Sequence, residues 1–204
     1  MIALPRFYLI IDDAALLVRL LPEGLRLVQL RVKEATPLEL RRQIRQARAL
    51  CEGFDAQLVI NDHWEAAIDE GCDFVHLGQE DLDTADVPAL RRHEIRLGLS
   101  THDEAELERA LSFAPDYVAL GPVYPTVLKA MTWEPQGLDK VTDWKRRVGE
   151  TPLVGIGGLT PERGVAALTA GADSVAAVTD VLRNPDPPAR LREWIAATAI
   201  EAIN

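Results

Sequence analysis

The sequence predicts a single-domain α/β protein with a (β/α)8 TIM-barrel fold. Two observations carry this prediction: short runs of apolar and β-branched residues recur along the chain, and longer amphipathic stretches separate them. Because the runs are apolar at successive positions, both faces of each strand should be buried, and closure into a barrel also removes the two sheet edges. The 204 residues are 48% hydrophobic, which is enough for one core, so residues 1–204 are expected to form one domain.

The predicted elements alternate along the whole chain. Eight runs have the length of strands: residues 7–11, 25–31, 57–61, 74–78, 96–100, 117–121, 153–157 and 174–179. Helical periodicity marks residues 37–51, 63–70, 103–112, 161–170 and about 187–200, after a brief first helix around residues 14–21. The connection from residue 121 to residue 137 holds three prolines and is too long for an ordinary βα loop, so it should lie over the site.

Net charge limits the partners of this chain. A formal charge of −10 repels nucleic acid and anionic membrane surfaces, so small molecules are the expected partners, and an anionic substrate requires local cations. Cys51 and Cys72 have no metal-ligand spacing and are expected to be buried thiols. The apolar runs have only strand length and residues 1–6 carry no leader pattern, which predicts a cytoplasmic protein, with a homo-oligomer left open.

Polar side chains line one face of the second predicted strand. Residues 28–33 alternate strictly, so that Gln29, Arg31 and Lys33 project from one face and the apolar residues from the other. A solvated strand end also has this pattern, but barrel strands normally bury both faces. A glutamine and two cations in line at a carboxyl end therefore predict recognition of an anion and a ring.

Two aspartates follow neighbouring strands. Asp62 comes directly after the third strand, and Asp81 follows the fourth. The carboxyl ends of parallel strands meet at one rim of a barrel, so the two side chains should lie close together. Mg²⁺ takes one or two carboxylates with water and phosphate oxygens, and the pair therefore predicts a magnesium site. Taken singly, each aspartate fits a helix N-cap better than a metal ligand.

The seventh predicted unit has the pattern of a phosphate site. Gly157 and Gly158 end the strand, and Thr160 and Pro161 then take the N-cap and the first position of the next helix. Glycines let the backbone approach an anion, a helix N-terminus presents unpaired N–H groups, and the loops after strands seven and eight are the usual phosphate site of barrels. Thr179, after the eighth strand, can add a hydroxyl and backbone donors.

The histidines and tryptophans add less. His76 lies within a predicted strand and is interpreted as a satisfied interior residue, and His102 lies near a helix start. Neither has a nucleophile partner, so no histidine is assigned as a general base. Trp133, in the long loop, is the tryptophan placed to cover a bound ring.

Six segments of the sequence form a specific combination. They are Gln29-Leu30-Arg31 with Lys33, Ile60-Asn61-Asp62, His76-Leu77-Gly78-Gln79-Glu80-Asp81, Gly121-Pro122-Val123-Tyr124-Pro125-Thr126 with Lys129, Ile156-Gly157-Gly158, and Gly171-Ala172-Asp173. In this combination they resemble thiamine phosphate synthase, from residue 7 to about residue 182. The thiazole tautomerase branch of the same superfamily is a close relative.

The resemblance implies a transferase. Such an enzyme joins 4-amino-2-methyl-5-hydroxymethylpyrimidine diphosphate to 4-methyl-5-(2-hydroxyethyl)thiazole phosphate, or to its carboxylated form, and releases pyrophosphate. In that family the pyrimidine is ionised to a cation before the thiazole nitrogen attacks. The implied reaction is therefore a dissociative substitution assisted by Mg²⁺.

The family pattern also implies a role for each matching residue. The residues expected at the aminopyrimidine are Gln29 and Ser100. The expected diphosphate ligands are Arg31, Lys33, Asn61 and Lys129, and the expected Mg²⁺ ligands are Asp62 and Asp81. The residues expected at the thiazole phosphate are Thr126, Gly158, Val178 and Thr179. Those expected to act in catalysis are Arg31, Lys33, Ser100 and Lys129.

Three positions depart from the family pattern. Leu128 stands where a hydroxyl residue is usual, and loss of a hydroxyl contact to a charged group costs about 1.5–3 kcal/mol. The pair Thr179-Asp180 replaces the commoner Ser-Ala and brings a carboxylate near the phosphate site. Arg163 stands where an asparagine is usual, and it either offsets that charge or faces solvent.

Two alternative functions remain open. A thiazole tautomerase-like enzyme shares the fold and the phosphate site, but that branch tends to lose the Asn61-Asp62 pair and the segment from Gly78 to Asp81, which are both present here. A non-catalytic barrel that binds thiazole phosphate or thiamine phosphate is disfavoured, because the cations and carboxylates are retained together. A turnover assay separates these alternatives.

Overall fold

Eight parallel strands form the barrel. A computed structural model describes residues 4–126 and 133–199. The strands are β1 (Phe7–Ile11), β2 (Leu27–Leu30), β3 (Gln57–Asn61), β4 (Phe74–Leu77), β5 (Arg96–Thr101), β6 (Tyr117–Leu120), β7 (Leu153–Ile156) and β8 (Ser174–Ala177). They pair in chain order, and β8 pairs back with β1 through Leu9 and Ala177. The predicted (β/α)8 barrel is confirmed.

Helices follow the strands around the outside. They are α1 (Leu17–Leu20), α2 (Pro37–Gly53), α3 (Trp64–Asp69), α4 (Gln79–Thr84), α5 (Val87–Arg92), α6 (Glu104–Ser112), α7 (Gly137–Val148), α8 (Pro161–Thr169), α9 (Thr179–Leu182) and α10 (Pro187–Ala199). Short 3-10 turns flank α1, which agrees with the brief first helix that the sequence predicts. In the described part of the chain, α4 and α5 both lie between β4 and β5.

The observed elements differ from the predicted ones in three ways. The predicted strand 174–179 ends at Ala177, because the chain turns into α9 at Thr179. The helices α4 and α5 are not among the predicted ones, since six residues are too few to establish a helical period. The helix α7 is also unpredicted, and its N-cap, Gln136, makes no side-chain capping bond that would have marked its start.

Two apolar layers fill the fold, because alternate residues of each strand point into the barrel and out toward the helices. The outer layer is the larger one and joins strand residues such as Leu9 and Val28 to helix residues such as Ile44 and Trp144. The inner layer consists of Tyr8, Ile10, Leu27, Val59, Phe74, Tyr117, Ala119, Val154 and Ala176. Both faces of the strands are therefore buried, as their continuous apolar runs predict.

Helix α10 fastens the last units of the barrel to the first. Trp194 is fully buried and stacks on Phe7 of β1, with the ring centroids 4.9 Å apart. Its indole N–H donates to Asp180 at 2.7 Å, and Arg190 donates to the two oxygens of the same carboxylate at 2.8 and 3.0 Å. Gly164 of α8 lies directly against the indole. The indole is thus held on three sides.

Neither cysteine is available as a thiolate at neutral pH. Cys51 and Cys72 are buried and free. Burial raises the pKa of the Cys51 thiol to about 12 and that of the Cys72 thiol to about 11. The prediction of buried thiols is confirmed. No helix among the described residues has both the length and the apolar character needed to cross a membrane.

We expect Gly164→Ala to destabilise the fold. A Cβ at this position would lie 2.5 Å from the Trp194 ring, which its own contacts prevent from moving away. Overpacking costs about 1–3 kcal/mol and opposes the gain of about 1 kcal/mol that alanine brings to a helix. Urea melts should therefore show a lower free energy of unfolding for this variant.

Gly53 provides the matched control. A Cβ there meets nothing within 4 Å, and the residue also lies in a helix, the end of α2. Gly53→Ala should leave the free energy of unfolding unchanged or raise it by a few tenths of a kcal/mol, because the helix-propensity gain of about 1 kcal/mol applies to helix interiors and Gly53 is the last residue of α2. Equal effects of the two substitutions would show that the indole does not limit residue 164.

Candidate active site

The polar residues singled out in the sequence converge at the carboxyl end of the barrel. The strands β2 to β5 are parallel neighbours, so their carboxyl ends lie side by side. Gln29, Asn61 and His76 occupy inner-face positions near these ends, and all three are buried. Ser100 of β5 lies at the same level and is partly exposed. This end of the barrel therefore holds buried polar groups where the other strand positions hold apolar ones.

Five inner side chains form one continuous chain of hydrogen bonds. The Gln29 Nε2 donates to the Tyr8 hydroxyl at 2.8 Å, and the Tyr8 and Tyr117 hydroxyls lie 3.1 Å apart. The Tyr117 hydroxyl is 2.7 Å from His76 Nδ1, and His76 Nε2 is 2.8 Å from the Ser100 Oγ. We call these five residues the interior chain. Each of its five side chains has at least one hydrogen-bond partner. This includes His76, which the sequence predicts to be a hydrogen-bonded interior residue.

Burial sets the protonation states of the interior chain. It raises the pKa of the Tyr8 and Tyr117 hydroxyls well above their usual value of 10. It lowers the pKa of His76 to about 4, and the positive charge of Arg31 acts in the same direction. At neutral pH the chain therefore consists of two phenols and a neutral imidazole that carries one N–H.

Asp62 and Asp81 meet at the rim beside Arg31. Burial is the largest effect that raises the pKa of the Asp62 carboxyl to about 6, followed by the charge of Asp81 and a hydrogen bond between the two carboxyls. Arg31 and a hydrogen bond with Asn61 act in the opposite direction. Two carboxyls this close resist simultaneous ionisation unless a cation neutralises them. The pair is therefore a site of concentrated negative charge next to a cation.

Neither aspartate acts as a helix N-cap. The cap positions of α3 and α4 are occupied by His63 and Gly78, and neither makes a side-chain capping bond. Asp62 instead has a φ of 62°, in the left-handed region that residues other than glycine rarely adopt. Such backbone conformations cost free energy and cluster at functional sites. The capping interpretation of these aspartates is wrong, because the cap position lies one residue after Asp62 in α3 and three residues before Asp81 in α4.

Contacts of α4 hold Asp81 in place. The Gln79 Nε2 donates to the Ser100 carbonyl oxygen at 2.7 Å, which ties the first turn of α4 to β5. Arg109 of α6 donates to the carbonyl and the side-chain oxygen of Gln79 at 3.2 and 3.3 Å, and it also pairs with Asp83. Sequence reasoning missed this clamp because its members are far apart along the chain.

The predicted cations after β2 differ in their surroundings. The Arg31 N–H donates to the Ile11 carbonyl at 2.8 Å, which extends the β1–β2 pairing by one residue. Its positive charge lowers the pKa of both Asp62 and His76, so its guanidinium lies within electrostatic range of both. Lys33 is exposed. The structure therefore brings Gln29 and Arg31 to the site and leaves Lys33 at its solvent side.

The loops after β6 and β7 fit tightly together. The Tyr124 N–H donates to the Gly157 carbonyl at 3.0 Å. Gly157 and Gly158 have positive φ values of 98° and 64°, and a Cβ on Gly158 would lie 2.3 Å from the Pro125 carbonyl oxygen. Glycine is therefore required here both by backbone conformation and by the approach of the neighbouring loop.

Two helices begin beside these glycines. Thr160 caps α8 by accepting from the Arg163 N–H at 3.4 Å, with Pro161 at the first helical position, as the sequence predicts. The helix α9 begins at Thr179, and its cap residue Val178 makes no side-chain capping bond. The first-turn N–H groups of α9 therefore have no acceptor from a cap side chain.

The two charged departures from the family pattern have separate partners. Asp180 faces α10, where Arg190 and Trp194 bind its carboxylate, so its charge is neutralised at that helix. The Arg163 guanidinium donates to the Gly158 carbonyl at 2.7 Å and lies 4.8 Å from the centroid of the Tyr124 ring. Positive charge is thus present beside the glycines without an opposing carboxylate from Asp180.

The long loop after β6 is described only at its two ends. Trp133 stacks on His102 with the ring centroids 5.3 Å apart and the planes 7° from parallel. His102 Nδ1 lies 2.8 Å from a Glu106 carboxylate oxygen. The predicted Thr126 is the last described residue before the gap, whereas Leu128 and Lys129 lie outside the described residues.

Sequence reasoning did not identify Tyr8 and Tyr117 as site residues. Both lie on the inner face of their strands, two residues before Ile10 and Ala119, which point to the same face. This alternation of inner-face and outer-face residues is the one signal for them in the sequence. It is hard to detect here because the strands are apolar on both faces.

Comparison with known proteins agrees with these motifs. The family model for thiamine monophosphate synthase matches residues 7–181, a span that contains all six motif segments. A thiamine-phosphate synthase of Rhizobium etli is 61% identical over 193 residues, which cover 95% of each chain. One of Neisseria meningitidis serogroup A is 44% identical over 189 residues, which cover 93% of this chain and 92% of the relative.

A solved structure shows the same fold. A thiamine phosphate pyrophosphorylase from Pyrococcus furiosus superposes with a TM-score of 0.85 over 95% of both chains, at 23% sequence identity. At that identity the likeness concerns the fold, whereas the family model and the two relatives concern the sequence itself. The chain belongs to the thiamine monophosphate synthase family of (β/α)8-barrel transferases.

Proposed function

We propose that this chain is a thiamine phosphate synthase. It joins 4-amino-2-methyl-5-hydroxymethylpyrimidine diphosphate to 4-methyl-5-(2-hydroxyethyl)thiazole phosphate, or to its carboxylated form with loss of carbon dioxide, and releases pyrophosphate. The observation that carries the proposal is the placement of Asp62 and Asp81 after the neighbouring strands β3 and β4, with Arg31 following β2 at the same end of the barrel. The relatives that bear this name at 61% and 44% identity support the same reaction.

The reaction needs stabilisation of charge more than transfer of a proton. The bond between the pyrimidine methylene carbon and the diphosphate oxygen breaks, and its electron pair leaves with pyrophosphate. The thiazole nitrogen then supplies the pair for the new carbon–nitrogen bond. Charge develops on the leaving oxygens, where fixed cations lower the barrier most. We assign the diphosphate to Arg31, Lys33, Asn61 and Lys129.

The rest of the site is assigned to the pyrimidine ring and to the thiazole phosphate. Gln29 and Ser100, the two ends of the interior chain, are assigned to the aminopyrimidine. Because the interior chain is uncharged at neutral pH, it adds no fixed charge to compete with the ionising pyrimidine. The residues assigned to the thiazole phosphate are Thr126, Gly158, Val178 and Thr179.

Magnesium fits the carboxylate pair. Sites for Mg²⁺ in phosphate chemistry combine one or two carboxylates with waters and phosphate oxygens. Burial and then the charge of Asp81 raise the pKa of Asp62, so a cation bound between the two carboxyls would favour their ionised forms. Within residues 4–126 and 133–199, no three His, Cys, Asp or Glu side chains are grouped as metal ligands. We assign the pair as ligands of Mg²⁺, which when bound supplies positive charge that stabilises the leaving diphosphate.

One incubation separates this proposal from its alternatives. The purified protein is mixed with both substrates and Mg²⁺, and the products are quantified. Thiamine phosphate and pyrophosphate in equal amounts are expected. Isomerised thiazole phosphate as the sole product would favour a tautomerase-like enzyme, and binding of thiazole phosphate without any product would favour a non-catalytic barrel.

Asp62→Asn and Asp81→Asn should each raise the Mg²⁺ concentration that gives half the maximal rate, by about tenfold or more. Even residues that only support a metal ligand change metal affinity by about 10–100-fold, and a direct ligand contributes at least as much. Initial rates measured against Mg²⁺ concentration test this. In the metal-free protein the melting temperature should not fall for Asp62→Asn, because the raised pKa shows that the ionised carboxyl is disfavoured there.

Glu80→Gln is the control for the metal titration. Glu80 is exposed and adjacent to Asp81, so its substitution removes the same charge from the same helix. Its rate curve should coincide with that of the unchanged protein. If the Asp62 and Asp81 variants also coincide with it, the carboxylate pair does not bind the metal.

Gly158→Ala should raise the KM for thiazole phosphate by about tenfold, with a smaller change in the KM for the pyrimidine diphosphate. The added Cβ would displace the loop at Pro125 and change the backbone beside the assigned phosphate. Gly155→Ala is the control, since a Cβ there makes only ordinary contacts at 3.7 Å or more. Steady-state kinetics with each substrate varied in turn measure both constants; an equal rise in both KM values would contradict the assignment.

A further inference from the structure

The interior chain joins the two residues assigned to the pyrimidine through three residues to which the proposed function gives no role. Tyr8, Tyr117 and His76 come from β1, β6 and β4, and each is at least nine-tenths buried. They connect Gln29 to Ser100 in four successive hydrogen bonds of 2.8, 3.1, 2.7 and 2.8 Å. A side chain at one end therefore affects which hydrogen bond the other end can offer.

Proton counting leaves two directions for this chain. Each phenol has one proton, and the neutral imidazole has one N–H, so each internal member donates once and accepts once. In the first direction Gln29 donates to Tyr8, Tyr8 donates to Tyr117, and Tyr117 donates to His76 Nδ1. His76 Nε2–H then donates to Ser100. In the second direction every bond is reversed, and the Gln29 amide must turn so that its oxygen faces Tyr8.

The orientation of Gln29 selects the first direction. Its Nε2 faces the Tyr8 hydroxyl at 2.8 Å and donates to it. The Gln29 Oε1 is then available as an acceptor. At the other end, Ser100 accepts from His76 and has its own O–H to donate. The interior chain thus presents one acceptor and one donor at its two ends.

Close packing keeps the Tyr117 hydroxyl at the centre of this chain. A Cβ on Gly98 would lie 2.1–2.6 Å from three atoms of the Tyr117 side chain, so the glycine provides the space for the ring. Tyr117 also stacks on His76, with the ring centroids 5.5 Å apart and the planes 12° from parallel. The geometry of the donor and acceptor is therefore set by packing inside the barrel, away from the substrate.

We propose that the interior chain selects a 4-aminopyrimidine over a 4-oxopyrimidine, with Tyr8, Tyr117 and His76 as the positioning residues. An exocyclic amine donates and an adjacent ring nitrogen accepts, which complements Gln29 Oε1 and the Ser100 hydroxyl. A 4-oxo ring reverses both groups, so it fits only if every proton in the interior chain and the Gln29 amide reverse as well. Otherwise a donor faces a donor or an acceptor faces an acceptor in the buried site, which weakens binding of the 4-oxo ring. This inference rests on the assignment of the pyrimidine under the proposed function.

Tyr117→Phe tests the inference because it cuts the interior chain and keeps the ring. Dissociation constants are measured by calorimetry for the 4-amino pyrimidine diphosphate and for its 4-oxo analogue, without thiazole phosphate. We expect the unchanged protein to prefer the amino form by at least about a hundredfold, since a site built for a hydrogen-bonding group strongly rejects its mismatch. In Tyr117→Phe the preference should shrink by at least about tenfold, because each half of the chain can then reverse independently. Tyr8→Phe should shrink it likewise.

Thr101→Val is the matched control. Thr101 neighbours Ser100 on β5, is fully buried, and bonds to the Ala119 carbonyl and the Trp144 indole N–H on the outer face. The substitution removes a buried hydroxyl that is not part of the interior chain, so the ratio of the two dissociation constants should stay unchanged. If Tyr117→Phe and Tyr8→Phe are folded and keep the full preference for the amino form, the inference is overturned.

The binding measurement separates this inference from the proposed function. If the unchanged protein prefers the amino ligand but forms no thiamine phosphate, the synthase assignment fails and the role of the interior chain stands. If thiamine phosphate forms and the two ligands bind equally in the unchanged protein, the synthase assignment stands and the inference fails.

Discussion

Closure of the sheet is the constraint on which the rest of this structure depends. An eight-stranded barrel has an interior just wide enough to be filled by side chains, so an inner-face residue has little access to water. A polar residue at such a position must find its partner on another strand. Gln29, Tyr8, Tyr117, His76 and Ser100 meet this requirement together, and each comes from a different strand. The same closure brings all carboxyl ends to one rim, where the carboxylate pair and Arg31 lie.

Local charge explains how an acidic chain can be built to bind phosphates. The formal charge of −10 is spread over the sequence, but the rim combines Arg31 with a carboxylate pair, and Arg163 lies beside the glycines after β7. Asp180, an acidic residue that the sequence places near the phosphate loops, is neutralised by Arg190. Under the proposed function, these positive groups lie where the phosphates are assigned, and the carboxylate pair is assigned to the metal.

Some contacts that stabilise the fold also position residues of the candidate site. Asp180 lies in α9 and accepts a hydrogen bond from Trp194, whose ring packs against α8 and β1. Arg109 and Gln79 hold α4 against β5 and so determine where Asp81 lies. None of these residues is assigned to a substrate. Their substitution would act through the position of the groups that are assigned, and a shift of about 1 Å at a reacting centre can cost a hundredfold in rate.

The sequence alone determined the strands, their order and most of the rim residues. Continuous apolar runs predict strands buried on both faces, and a polar residue just after a strand then lies at the rim whatever the details of packing. Asp62 and Asp81 were placed there in this way, and Gly158 by the glycine pattern that precedes a capped helix. The tertiary structure decided which side chains meet across the interior. Tyr8 and Tyr117 are 109 residues apart, and Trp133 stacks on His102, which belongs to a different part of the sequence. Alternation specifies the face of a strand, but the partner across a closed barrel depends on strand stagger and interior width, which local patterns do not encode.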